Sequence, residues 1–150
     1  MEIKDRIIIA GKHANFSEKY RSLCDKYNIE RGPAEPRSLK DIMELAAGVL
    51  ALRKLSGPGT VLVVADLPTG LGLKFVFQLT YVIEAMFSID GYEYTMAVFY
   101  DEIERSARHD APAYYPRPMG TNSQDFVAIF SSLTDLLLEI SEHHRSLPAE

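Results

Sequence analysis

Residues 60–65 read Thr-Val-Leu-Val-Val-Ala, with Ser56-Gly57-Pro58-Gly59 before them and Asp66-Leu67-Pro68-Thr69-Gly70-Leu71-Gly72 directly after. A short β-branched run closed on both sides by turn formers is the pattern of a core strand. A core strand must be covered by other elements, so the patterning of the flanking segments decides the fold class.

Ile3 to Ala10 contains a second continuous apolar run, Ile7-Ile8-Ile9-Ala10, ending at Gly11, and it reads as a buried parallel strand. Asn15-Phe16-Ser17-Glu18 has capping-box spacing, and Phe16, Tyr20, Leu23 and Tyr27 recur at helical period, predicting a helix over 15–27. Asn28 to Gly32 reads as a short edge strand or a link, and Pro33 and Pro36 then break the chain. Ser38-Leu39-Lys40-Asp41 is a second capping pattern, opening a helix that carries Leu39, Ile42, Met43, Leu45, Ala46, Val49, Leu50 and Leu52 and ends near Ser56-Gly57-Pro58-Gly59.

Leu73 to Phe87 fits two periods. Phe75, Phe77, Leu79, Tyr81 and Ile83 alternate as in a strand, whereas Val76, Leu79, Val82, Ile83 and Met86 make a helical stripe. Strands rarely run so long, and a glycine-rich turn precedes it, so a helix is expected. Tyr92 to Tyr100 is rich in strand formers. Residues 101–122 read as a long connection, and a helix from about Asn122 carries Phe126, Ile129, Phe130, Leu133, Leu136, Leu137 and Ile140.

Alternation of strands and helices predicts one α/β domain over residues 1–150. The expected form is a three-layer α/β/α sandwich with a small, mostly parallel sheet, similar in layout to flavodoxin-like domains. That resemblance is one of architecture and implies no activity. The alternative is an α+β fold with a hairpin at Asp90-Gly91.

Charge and composition exclude several classes. Asp and Glu outnumber Lys and Arg by 21 to 16, for a net charge of −5, which lacks the footprint of a nucleic-acid binder. The longest apolar stretch, Leu71 to Ile89, is interrupted by Lys74, Gln78 and Glu84, so no membrane span is expected. The single cysteine, Cys24, allows no internal disulfide and fits a reducing, cytoplasmic setting; it reads as a core residue.

In an open parallel sheet, ligands bind beyond the carboxyl ends of the strands. That rule selects Gly11, Lys12 and His13, then Asp66, Thr69, Gly70 and Gly72, then Asp101 and Glu102. The candidate ligand-binding set is Lys12, His13, Asp66, Thr69, Gly70 and Asp101. Lysine and histidine suit phosphate contact or proton transfer, and Asp66 at a strand end suits orienting a hydroxyl. Each also has a plain reading as a loop residue or turn cap.

Gly70-Leu71-Gly72-Leu73-Lys74 fails as a Walker A loop, because its lysine stands two residues after the last glycine and Phe75 replaces Ser/Thr. It also fails as a dinucleotide fingerprint. Asp66, Asp101, Glu102 and Glu104 read as solvated acids rather than a Mg²⁺ site, and the adjacent His143 and His144 diverge by about 100° on a helix. No metal site is expected, and no cofactor is indicated.

Two functional expectations follow. The first is binding of a small anionic molecule, a nucleotide or phosphorylated metabolite, at the strand-end rim. The second is a non-enzymatic interaction or regulatory module acting as a homodimer through the apolar last helix or the Tyr114-Tyr115-Pro116-Arg117-Pro118 segment. The sequence leaves open whether the chain is an enzyme.

Overall fold

The structure is a computed structural model and describes residues 1–28, 34–36, 38–79, 81–110 and 112–149. The link expected at Asn28 to Gly32 falls mostly outside these residues. In chain order the elements are α1 (Ile3–His13), α2 (Phe16–Lys26), α3 (Leu39–Ala46), β1 (Leu52–Lys54), β2 (Val61–Val64), β3 (Leu71–Gln78), β4 (Val82–Ile89), β5 (Tyr92–Thr95), α4 (Met96–Ala107) and α5 (Ser123–Ser146). The strands form one sheet in the order β1-β2-β3-β4-β5, and every neighbouring pair is antiparallel. The fold is therefore α+β. The mostly parallel, flavodoxin-like sandwich is overturned, and the α+β alternative with a hairpin across Asp90-Gly91 is the arrangement observed, with Ile89 opposite Tyr92.

The parallel expectation failed at three segments, each an apolar run short enough to suit either period. The Ile7–Ala10 run is part of helix α1, not a strand. Its fully covered positions, Ile7, Ala10, Gly11 and Ala14, recur at helical spacing. The absent side chain of Gly11 is what lets α1 approach α4: a Cβ there would lie 2.6 Å from the Phe99 ring.

Leu73 to Phe87 is a hairpin of β3 and β4, not a helix. The alternating signal was the correct one: Leu73 and Phe75 on β3, and Ile83, Ala85, Phe87 and Ile89 on β4, are all buried. The length objection disappears because the chain reverses near Leu79, whose φ of 51° lies in the left-handed region.

Tyr92–Tyr100 contributes only a four-residue strand. Thr95 then caps α4, its hydroxyl accepting from the Val98 N–H at 3.3 Å, so the first turns of the expected 101–122 connection are helical.

Helices α2 and α5 fall where periodicity placed them. Ser38 caps α3 through the Asp41 N–H, but α3 stops at Ala46, and Leu52, expected near the end of that helix, opens strand β1 instead. Asn15 adopts φ 55° and makes no side-chain cap; its amide donates to Glu18 instead.

One sheet face carries the core. Phe75 stacks on Phe130 at 4.3 Å, Phe77 meets Phe126 at 5.1 Å, and Phe87 meets Phe99 at 5.2 Å. α5 is spent in this core: Phe126, Ile129, Phe130, Leu133, Leu137 and Ile140 are all buried within the chain. Its apolar face is therefore covered within the chain. Beside the first half of β4 the chain returns as an extended segment. The Ile83 N–H donates to Pro118 O and the Gly120 N–H to Tyr81 O, each at 3.0 Å, and Tyr20 OH donates to Pro116 O at 2.7 Å. Among the described residues no helix is long and apolar enough to cross a membrane.

Candidate ligand-binding face

The register places the second sheet face residue by residue, because side chains alternate along each strand. One cross-strand row reads Arg53, Val63, Lys74, Met86 and Thr95. The row beside it reads Gly72, Ser88 and Glu93, and the row on the other side reads Val61, Val76 and Glu84. Val61, Val63, Val76 and Met86 are half-buried there.

Across this face runs a groove of about 350 Å³, lined among the described residues by the strands and the residues flanking them. Arg53, Leu55, Val63, Gly72, Lys74, Met86, Ser88 and Glu93 contribute side chains or open floor. Strand spacing sets the Arg53 and Lys74 backbones roughly 10 Å apart with Val63 between them, so both flexible cations reach the same space.

The donors here are unspent. Among the described residues no carboxylate lies within ion-pair distance of Arg53 or Lys74, and the Ser88 hydroxyl has no hydrogen-bond partner. Gly72 makes room for Ser88: a Cβ on it would lie 2.6 Å from the Ser88 hydroxyl oxygen. By contrast Glu84, at the far end of the face, is buried and neutralised by Arg117 at 2.9 Å. The arrangement can hold an anion by two charge-assisted contacts and one hydroxyl, against an apolar wall.

The residues expected at a strand-end rim are distributed differently, because an antiparallel sheet has no common carboxyl end. β2 and β4 run one way, β3 and β5 the other. Asp66, Thr69 and Gly70 share the β2–β3 turn, which lies at the same end as the β4–β5 turn; the Asp90 N–H donates to Gly70 O at 2.8 Å. Lys12 and His13 are exposed in the last turn of α1, where cations suit the helix dipole. The His13 ring meets His143 edge-on at 6.1 Å.

Asp101 is buried in α4 and holds the returning loop, accepting from the Tyr114 N–H at 2.8 Å, with Arg105 at 3.5 Å. A second groove beside it, about 510 Å³, has its arginines paired, Arg105 with Asp101, Arg108 with Glu104 and Arg21 with Asp25. Cys24 is buried, and burial pushes its thiol up to about 12, which leaves no thiolate nucleophile near neutral pH. Among the described residues no group of His, Cys, Asp and Glu could hold a metal.

Sequence reading missed Arg53, Val63, Met86 and Ser88 as partners of Lys74. The signal available was the strand alternation of residues 72–77, which sends Gly72, Lys74 and Val76 to the face opposite Phe75. No protein-family model, curated protein or solved structure matches this chain.

Proposed function

We propose that the protein binds a small anionic molecule on the open face of its sheet, with Lys74 and Arg53 supplying charge and Ser88 a hydroxyl. The observation that carries the reading is that these three donors line one concave, partly apolar groove and have no partner among the described residues. Such a groove with a few convergent polar groups is the usual form of a small-molecule site. The single buried thiol supports a reducing, cytoplasmic setting for this activity.

The test is a thermal-shift titration of the full chain against inorganic phosphate, nucleotides, sugar phosphates and carboxylates. Saturable stabilisation by one class is expected, amounting to about 2.7 kcal/mol at a hundredfold excess over Kd. An Arg53→Ala/Lys74→Ala variant should keep the unliganded melting point and lose that response. Retained binding in that variant would overturn the reading.

A second reading has its own support. The apolar strip continues past the groove through the half-buried Val61 and Val76, and a second copy laid on it would make a two-fold homodimer acting as an interaction module. Sedimentation tests it. A dimer that Val76→Lys dissociates supports this reading, and a monomer at every concentration removes it.

A further inference from the structure

We infer that the molecule this face accepts is a monoanionic amphiphile, a carboxylate head on an apolar chain of moderate length, rather than a polyphosphate. The inference rests on the anion-binding reading above and names its ligand class.

Charge sets the first limit. The groove offers two cations with no ion-pair partner among the described residues, Arg53 and Lys74, and it is also lined by Glu93. A nucleoside triphosphate brings several negative charges and would meet that carboxylate. Sites for polyphosphate also wrap the ligand in backbone N–H groups. Here the N–H groups of the paired residues of β2, β3 and β4 lie in the plane of the sheet, so none of these points out of the face. A single carboxylate needs no such cradle: it matches the fork of one guanidinium, with an ammonium and a hydroxyl beside it.

Shape sets the second. Next to the cationic heads stand Val63 and Met86, and one row further along the strands stand Leu55, Val61 and Val76. Successive rows are about 7 Å apart, so an apolar strip of roughly that length leads away from the Arg53–Lys74 pair. Glu84, opposite Val76, is turned to Arg117. The face is therefore cationic at the Arg53–Lys74 row and apolar over Val61 and Val76 in the row beside it, the polarity order of an amphiphile.

Calorimetric titration of the full chain with octanoate, octanol, inorganic phosphate and ATP separates the outcomes. Octanoate should bind at one site per chain and octanol, phosphate and ATP should not. Lys74→Ala should weaken octanoate at least tenfold, and Lys74→Arg, which keeps the charge, should restore most of it. Octanol binding as well as octanoate, or octanoate indifferent to Lys74→Ala, would overturn head-group recognition. Phosphate or ATP binding that depends on Lys74, with octanoate silent, would overturn the ligand class and leave the anion-binding face standing. No binding by any probe would overturn both.

Discussion

Gly11 on α1 and Phe99 on α4 meet so closely that a Cβ on the glycine would lie 2.6 Å from the ring and 2.9 Å from Ile103 Cδ1. Phe99 is fully buried and is itself wedged against Phe16, Phe87 and Tyr94, so it has little room to yield. Gly11→Val should therefore overpack the joint between the amino-terminal helix and the sheet layer. Urea denaturation should read a loss of about 1–3 kcal/mol. An unchanged midpoint would mean that α1 can shift outward freely.

Asp101 supports the returning segment from inside. Asp101→Ala removes the acceptor of the Tyr114 N–H and the partner of Arg105. Loss of a buried charged acceptor should cost about 1.5–3 kcal/mol. Hydrogen exchange should locate the effect, with the Tyr114 amide accelerated far more than amides of β3. Uniform acceleration would show a global role instead.

Alkaline pH should destabilise the protein before neutral or mildly acidic pH does. Burial raises the Cys24 thiol to about 12 and also raises the hydroxyls of Tyr20 and Tyr94, the latter helped by its hydrogen bond to Glu102. These groups stay protonated in the fold and lose protons more easily when unfolded. The unfolded chain thus binds fewer protons, and stability falls with rising pH. For Cys24 the contribution is complete below its ordinary thiol value and disappears as pH climbs towards 12, at up to about 1.4 kcal/mol per pH unit. Melting points measured from pH 7 to 11 check this. A flat profile above pH 9 would contradict it, as would rapid reaction of Cys24 with a thiol reagent at pH 8 in the folded protein.

Leu79 holds φ 51° at the tip of the β3–β4 hairpin and is 89% exposed. A leucine gains almost no burial there and pays the left-handed backbone penalty. Leu79→Asn should raise stability by about 0.5–1 kcal/mol, because asparagine tolerates that conformation. A lower melting point would show that Leu79 makes a contact worth more than its strain.

How much of this was legible in the chain depends on the reach of each signal. The stripe of α5, the stripe of α2, the Ser38 cap and the Val61–Val64 strand are local patterns, and the sequence by itself determined them. The Ile7–Ala10, Leu73–Phe87 and Tyr92–Tyr100 segments are apolar runs that satisfy either period, so their state was decided by what packs across from them. Phe99 against Gly11 makes the first a helix, and the eight-pair register from Leu71↔Ile89 to Gln78↔Val82 makes the second a hairpin. The candidate site follows the same rule. Lys74 is visible in the sequence, but its neighbours Arg53 and Ser88 are separated from it by 21 and 14 positions in the chain numbering. Only the antiparallel register brings them onto one face, because cross-strand pairing is set by hydrogen bonding and burial summed over the whole sheet rather than by any local preference.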